Sequence, residues 1–111
     1  MKRIDLLKIL KDGGATLDGS GAAVSFRRGY QVSRKDCYTL NVRNVNKILR
    51  AVRSVLASLK AGEYCGIWVD GGRVYVDISE RIPRKRDALK IGRERAQISV
   101  FDWRTGAAIY C

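Results

Sequence analysis

Apolar and polar positions alternate along this chain in two different periods, and the longest run with a helical period lies between residues 41 and 60. Val42, Val45, Ile48, Leu49, Val52, Val55, Leu56 and Leu59 recur at steps of three, three, one, three, three, one and three. At 100° per residue they cover an arc of about 140°, the stripe of an amphipathic helix lying across a sheet. Asn41 is placed to cap its start and Gly62 its end. Residues 2–12, KRIDLLKILKD, predict a shorter helix with Ile4, Leu7 and Leu10 or Ile9 near one face and Leu6 at its edge. Gly13 and Gly14 stop it. A third helix is expected over residues 83–94, with Pro83 in its first turn.

Period two takes over in YCGIWVD-GG-RVYVDIS, residues 64–79, the strongest hairpin signal in the chain. Cys65, Ile67 and Val69 share one face of the first strand, and Val74, Val76 and Ile78 share one face of the second. Tyr64, Trp68 and Tyr75 fall on the opposite faces, leaving an aromatic side partly open. A first hairpin is expected around Gly19-Ser20-Gly21, with Val24 and Phe26 on one side of its second strand and Gly29 bending or dividing that strand. Residues 96–102 read as a late strand, Arg104-Thr105-Gly106 as a turn, and residues 107–111 as a short edge strand. The expected fold is one α+β domain over residues 1–111: an antiparallel sheet of about five strands, one long helix and two shorter ones.

Charge changes this picture from a fold to a candidate function. Lysine and arginine number 22 against 11 acids, for a net charge of +11. Self-repulsion on that scale points to an anionic partner. No apolar run approaches the length of a membrane span. The charged N-terminal turns predict no secretory leader, so a cytoplasmic setting is expected.

Conventional catalysis finds little support. There is no histidine, hence no histidine base, triad or metal ligand. Cys37, Cys65 and Cys111 are far apart and form no zinc spacing. The glycine stretches lack the phosphate-loop pattern and its strand-to-helix setting. The expectation is a protein without catalytic residues, metal or cofactor.

The basic residues are patterned. Arg43, Lys47 and Arg50 follow i, i+4, i+7 on the side of the long helix opposite its apolar stripe. Residues 81–95, RIPRKRDALKIGRER, carry seven basic and two acidic residues. Arg86, Lys90 and Arg93 fall on one stripe there, with Arg84 and Lys85 at its start and Arg95 at its end. Arg27, Arg28, Arg34 and Lys35 flank Gly29-Tyr30. Arginine suits bidentate phosphate contact. These clusters predict sequence-independent contact with a nucleic-acid backbone, directly or within a ribonucleoprotein. Tyr30 and Tyr38 could stack on bases. Tyr30, Trp68 and Tyr75 are candidate contacts to a partner protein with an acidic surface, or to a second copy in a homodimer.

Three resemblances bear on function. The element order is similar to that of LAGLIDADG homing endonucleases, in which the end of the first helix carries a metal-binding acid. Asp12 occupies a comparable place, although the packed small-residue helix face of that family is replaced by IDLLKILKDGG. That likeness implies a metal-dependent nuclease. The first half resembles the double-stranded-RNA-binding domain in order alone, without its lysine cluster. Residues 64–110, with YCGIWVDGGRVYVDIS followed by ALKIGRERAQISVFDW, resemble small proteins of prophages and mobile elements. That resemblance implies an accessory role, including inhibition of host defence in the manner of anti-CRISPR proteins.

Overall fold

In the computed structural model, which describes all residues from Met1 to Cys111, the apolar stripe of the long helix α2 (Val45–Ser58) does what its period implies. Ile48, Leu49, Ala51, Val52 and Val55 are buried against Cys65 and Ile67 of β3 (Tyr64–Asp70) and Val74 and Val76 of β4 (Arg73–Ile82). The hairpin register pairs Ile67 with Val76 and Val69 with Val74, so alternation places both apolar rows under the helix. Each valine, leucine or isoleucine among them is worth roughly 1.5–3 kcal/mol on removal from water.

The helix starts later than its pattern allows. Asn41 ends β2 (Tyr30–Asn41), and its side chain accepts the Arg43 N–H at 2.9 Å, closing the turn into α2 instead of capping it. At the other end Leu59 takes the cap position and Gly62 belongs to the following turn, at φ +78°. The first helix, α1 (Arg3–Asp12), is rotated from the expected face. Leu6 is fully buried, with Ile9 and Leu10 beside it, while Ile4 and Leu7 face solvent. The third helix, α3 (Lys85–Glu94), follows Arg84 in the cap position and buries Ala88 and Gly92. A Cβ on Gly92 would lie 2.7 Å from the Cys111 sulfur and 3.1 Å from Val100, so close packing requires glycine there.

Six antiparallel strands, one more than expected, form a single sheet in the order β1-β3-β4-β2-β5-β6. Both late strands expected from the sequence are present, β5 (Ser99–Asp102), shorter than its pattern, and β6 (Ala107–Tyr110), joined through the 103–106 turn. The first hairpin does not form. After β1 (Gly14–Leu17) the Asp18 carboxylate accepts the N–H groups of Ser20 and Ala22 at 2.9 and 3.1 Å. The chain then makes a single bridge, Leu17 to Ala23, before leaving the strand. β1 pairs with β3, whereas β2 pairs along its length with β4. A ten-residue partner offers more ladder and more buried surface than a four-residue one, and long-range pairing wins over the local turn.

β2 carries two irregularities, between Ser33 and Lys35 and between Asp36 and Tyr38. Bulges of this kind bend and coil a sheet. The effect is large. Trp68 of β3 and Phe101 of β5 are separated by two strands, at least about 14 Å on a flat sheet. Their ring centroids lie 5.6 Å apart, so the sheet folds over on the side away from the helices.

Candidate nucleic-acid interface

The two basic helices α2 and α3 lie on one side of the sheet. Val74, Val76 and Ile82 share a face of β4. α2 packs on the first two, and α3 packs on Ile82 with Val32 and Val100. Their outer surfaces therefore belong to the same helical layer. On α2, Lys47 and Arg50 are exposed and meet Tyr38 and Ser54 around a shallow depression of about 400 Å³. The Tyr38 hydroxyl donates a long hydrogen bond, 3.5 Å, to Ser54 Oγ. Arg43 is exposed in the turn before the helix. On α3, Lys85, Arg86, Lys90 and Arg93 are exposed, as is Arg84 at its start.

Almost none of this charge is neutralised internally. Of twenty-two lysines and arginines, two form ion pairs: Arg34 with Glu63 at 3.4 Å, and Arg95 with Glu80. Arg95 also reaches the Ser33 carbonyl oxygen, so it ties α3 to the sheet rather than standing free for an anion. Arg27 and Arg28 are exposed, but on the other side of the molecule. Their segment lies over the sheet face away from the helices, where Arg81 donates two hydrogen bonds to the Arg28 carbonyl and its guanidinium sits 5.1 Å from the Phe26 ring centre. The expected cluster of Arg27, Arg28, Arg34 and Lys35 is thus divided.

The aromatic contacts are also redistributed. Tyr30 is half-buried against the Val32 cluster and offers little to a partner. Trp68 and Tyr75 are cross-strand neighbours, 43% and 38% exposed. Beside them the curled sheet forms a cleft of about 410 Å³ between Trp68, Phe101, Trp103, Val24 and the Gly13-Gly14 backbone. Phe101 and Trp103 meet edge to face at 4.9 Å, and Phe26 touches Trp103 and Tyr64 the same way. Trp103 is fixed from behind: its indole N–H donates to Gln31, whose amide donates to Ser79. Phe26, Phe101 and Trp103 were not among the expected site residues. Phe101 and Trp103, two residues apart at the end of β5, carry a period-two signal that could have placed them on one side, whereas Phe26, outside any strand, carries none.

The thiols are not activated, and no cluster of metal-ligating side chains forms. Burial pushes the Cys65 thiol up to about 12 and raises Cys37, so neither is poised as a thiolate at neutral pH. Asp12 lines the cleft, but nowhere do three or more carboxylates or thiols approach closely enough to share a metal ion. Asp77 is the one unusual acid. It is buried on the sheet face away from the helices, over Gly66, and its Oδ1 has no hydrogen-bond partner. Burial, with a contribution from Asp36, raises its pKa from the ordinary 3.8 to about 6. No helix is long and apolar enough to cross a membrane. No known protein family, curated protein or solved structure matches this chain.

Proposed function

We propose that this protein is a non-enzymatic binder of nucleic acid, free or within a nucleoprotein complex, that engages phosphates through the helical layer. The observation that carries this reading is that twenty of twenty-two cations lack a carboxylate partner. Concentrating unpaired charge on exposed helix surfaces costs stability through self-repulsion, and a polyanion offsets that cost. Lys47 and Arg50 with Tyr38 form one contact region. Lys85, Arg86, Lys90 and Arg93 on α3 form the other. Arg43 and Arg84 extend each at its helix start. Contacts of this type position a backbone without reading sequence.

Charge reversal on α3 tests it. Arg86→Glu, Lys90→Glu and Arg93→Glu alter exposed side chains outside every ion pair, so the fold is retained. The triple variant is expected to bind labelled mixed-sequence oligonucleotides more weakly, with a salt slope shallower by about 3. Unchanged affinity and slope would remove α3 from the interface.

A second reading, inhibition through contact with another protein or a ribonucleoprotein, is favoured by the β6 edge. Its strand bears no charge or proline, and its own Tyr110 and the nearby Ile98 are 75% and 79% exposed. The opposite edge, β1, is covered at its end, over Thr16 to Asp18, by residues 22–24. An uncovered edge of this kind is a pairing surface for a partner strand, including that of a second copy.

A further inference from the structure

The aromatic cleft lies on the face of the sheet that the helical phosphate contacts do not use. We infer that it binds an unpaired base of a single-stranded nucleic-acid segment, which rests on the reading that the protein binds nucleic acid and specifies the form it prefers. Three features of the cleft point to a planar ring. Trp68, Phe101 and Trp103 present rings from three different directions, with Trp68 in edge contact with Phe101 at 5.6 Å and Phe101 with Trp103 at 4.9 Å. The space, about 410 Å³, is of the size that takes a small ligand. Asp12, Thr16 and Ser25 are among the residues that line it, a carboxylate and two hydroxyls of the kind that suits the polar edge of a base.

The surroundings favour a nucleotide over a neutral ring. Arg27 and Arg28 follow Phe26 in the segment that covers this face, and Arg104 follows Trp103. Arg73 lies on the same face of β4 as Tyr75, two residues away. None of these four arginines forms an ion pair, and all are exposed. An aromatic platform flanked by free arginines is the arrangement that holds single strands by stacking and backbone charge together. A base inside a duplex is stacked on its neighbours and cannot enter the cleft. The site therefore selects single strands, loops or ends.

The chain's two tryptophans, Trp68 and Trp103, both line the cleft, so tryptophan emission, excited selectively over that of the tyrosines, reports on it. The experiment titrates the protein with a mixed-sequence single-stranded DNA octamer, its RNA counterpart and the matching DNA duplex. It follows tryptophan emission and the anisotropy of a label on the nucleic acid in parallel. Single strands are expected to quench emission, and the duplex is expected to bind without quenching. Trp68→Ala is expected to weaken single-strand binding about 10- to 100-fold, the range for losing one stacking platform. It leaves duplex binding unchanged, and Trp68→Phe restores most of the loss. Because Trp68 is 43% exposed, its removal leaves the core intact, and an unchanged melting curve verifies this. Binding by anisotropy with no change in emission and no effect of Trp68→Ala would overturn the cleft assignment while leaving phosphate binding in place. Absence of binding to every probe at low salt would overturn both.

Discussion

Asp77→Asn stabilises the protein at neutral pH by up to about 3 kcal/mol and has little effect below pH 4. The argument starts from position. Asp77 follows Val76 in a strand whose alternate residues face the helices, so it points to the other face, which the curled sheet closes over. Its carboxyl is buried with one oxygen unpartnered, and it titrates near 6 in the fold against 3.8 in an unfolded chain. Between those values the native state holds a proton that the unfolded state has released. Stability attributable to this group is therefore full below about 3.8 and lost as pH rises to about 6. About two pH units at 1.36 kcal/mol each give the magnitude. Asparagine keeps the shape and removes the charge. Chemical denaturation of both proteins between pH 4 and 8 checks this. The two stabilities should converge at acid pH and separate toward neutrality. Parallel profiles would show that Asp77 is not forced to ionise in the fold.

Gly66→Ala destabilises the protein by roughly 2–3 kcal/mol, the cost of forcing a methyl group into filled space. A Cβ at Gly66 would lie 2.1 Å from Asp77 Oδ1 and 3.1 Å from its Cγ, on a carboxylate that is itself buried. Gly66 does not have a positive φ, so the penalty is steric and lies in one neighbour. The double variant Gly66→Ala/Asp77→Ala removes that neighbour and is expected to regain what the single substitution loses. Alanine also suits a strand better than glycine does. A double-mutant cycle of thermal or urea unfolding reads this coupling directly. Additive losses would place the strain of Gly66→Ala elsewhere, in the β1–β3 packing.

These two residues illustrate why part of the molecule was legible from its sequence and part was not. The α2 stripe and the β3–β4 hairpin are local patterns, and alternation alone puts Cys65, Ile67, Val74 and Val76 beneath the helix. The α+β class follows from them. The partner of β2 is a non-local choice. Gly19-Ser20-Gly21 signals a turn correctly, but a turn does not oblige the chain beyond it to pair. In α1, the direction that faces the core depends on where α2 lies, which no single-helix pattern contains. Leu6 rather than Ile4 or Leu7 is buried for that reason.

The candidate interface divides along the same line. Lys47, Arg50, Arg86, Lys90 and Arg93 were legible because helical spacing fixes which side of a helix they occupy. Whether an arginine is free or paired is a tertiary fact, and Arg95 fails on it through Glu80, fifteen residues earlier. The aromatic cleft depends on the curl of the sheet, and irregularities such as the two in β2 are a local means of producing one. That curl brings Trp68 and Phe101 together across strands that would keep them apart on a flat sheet. Only the open aromatic side of the β3–β4 hairpin, Trp68 with Tyr75, was visible in advance, because a cross-strand pair is set by local register.

The central claim, that unpaired lysines and arginines engage phosphate, is tested most directly by the binding of the unmodified protein to labelled single-stranded and duplex oligonucleotides across a salt series. The account predicts binding at low salt to either form and to unrelated sequences alike. The logarithm of affinity should fall linearly with that of salt, with a slope of about −4 to −5 for some six phosphate contacts. Absence of binding at low salt, or binding with a slope near zero, would contradict it.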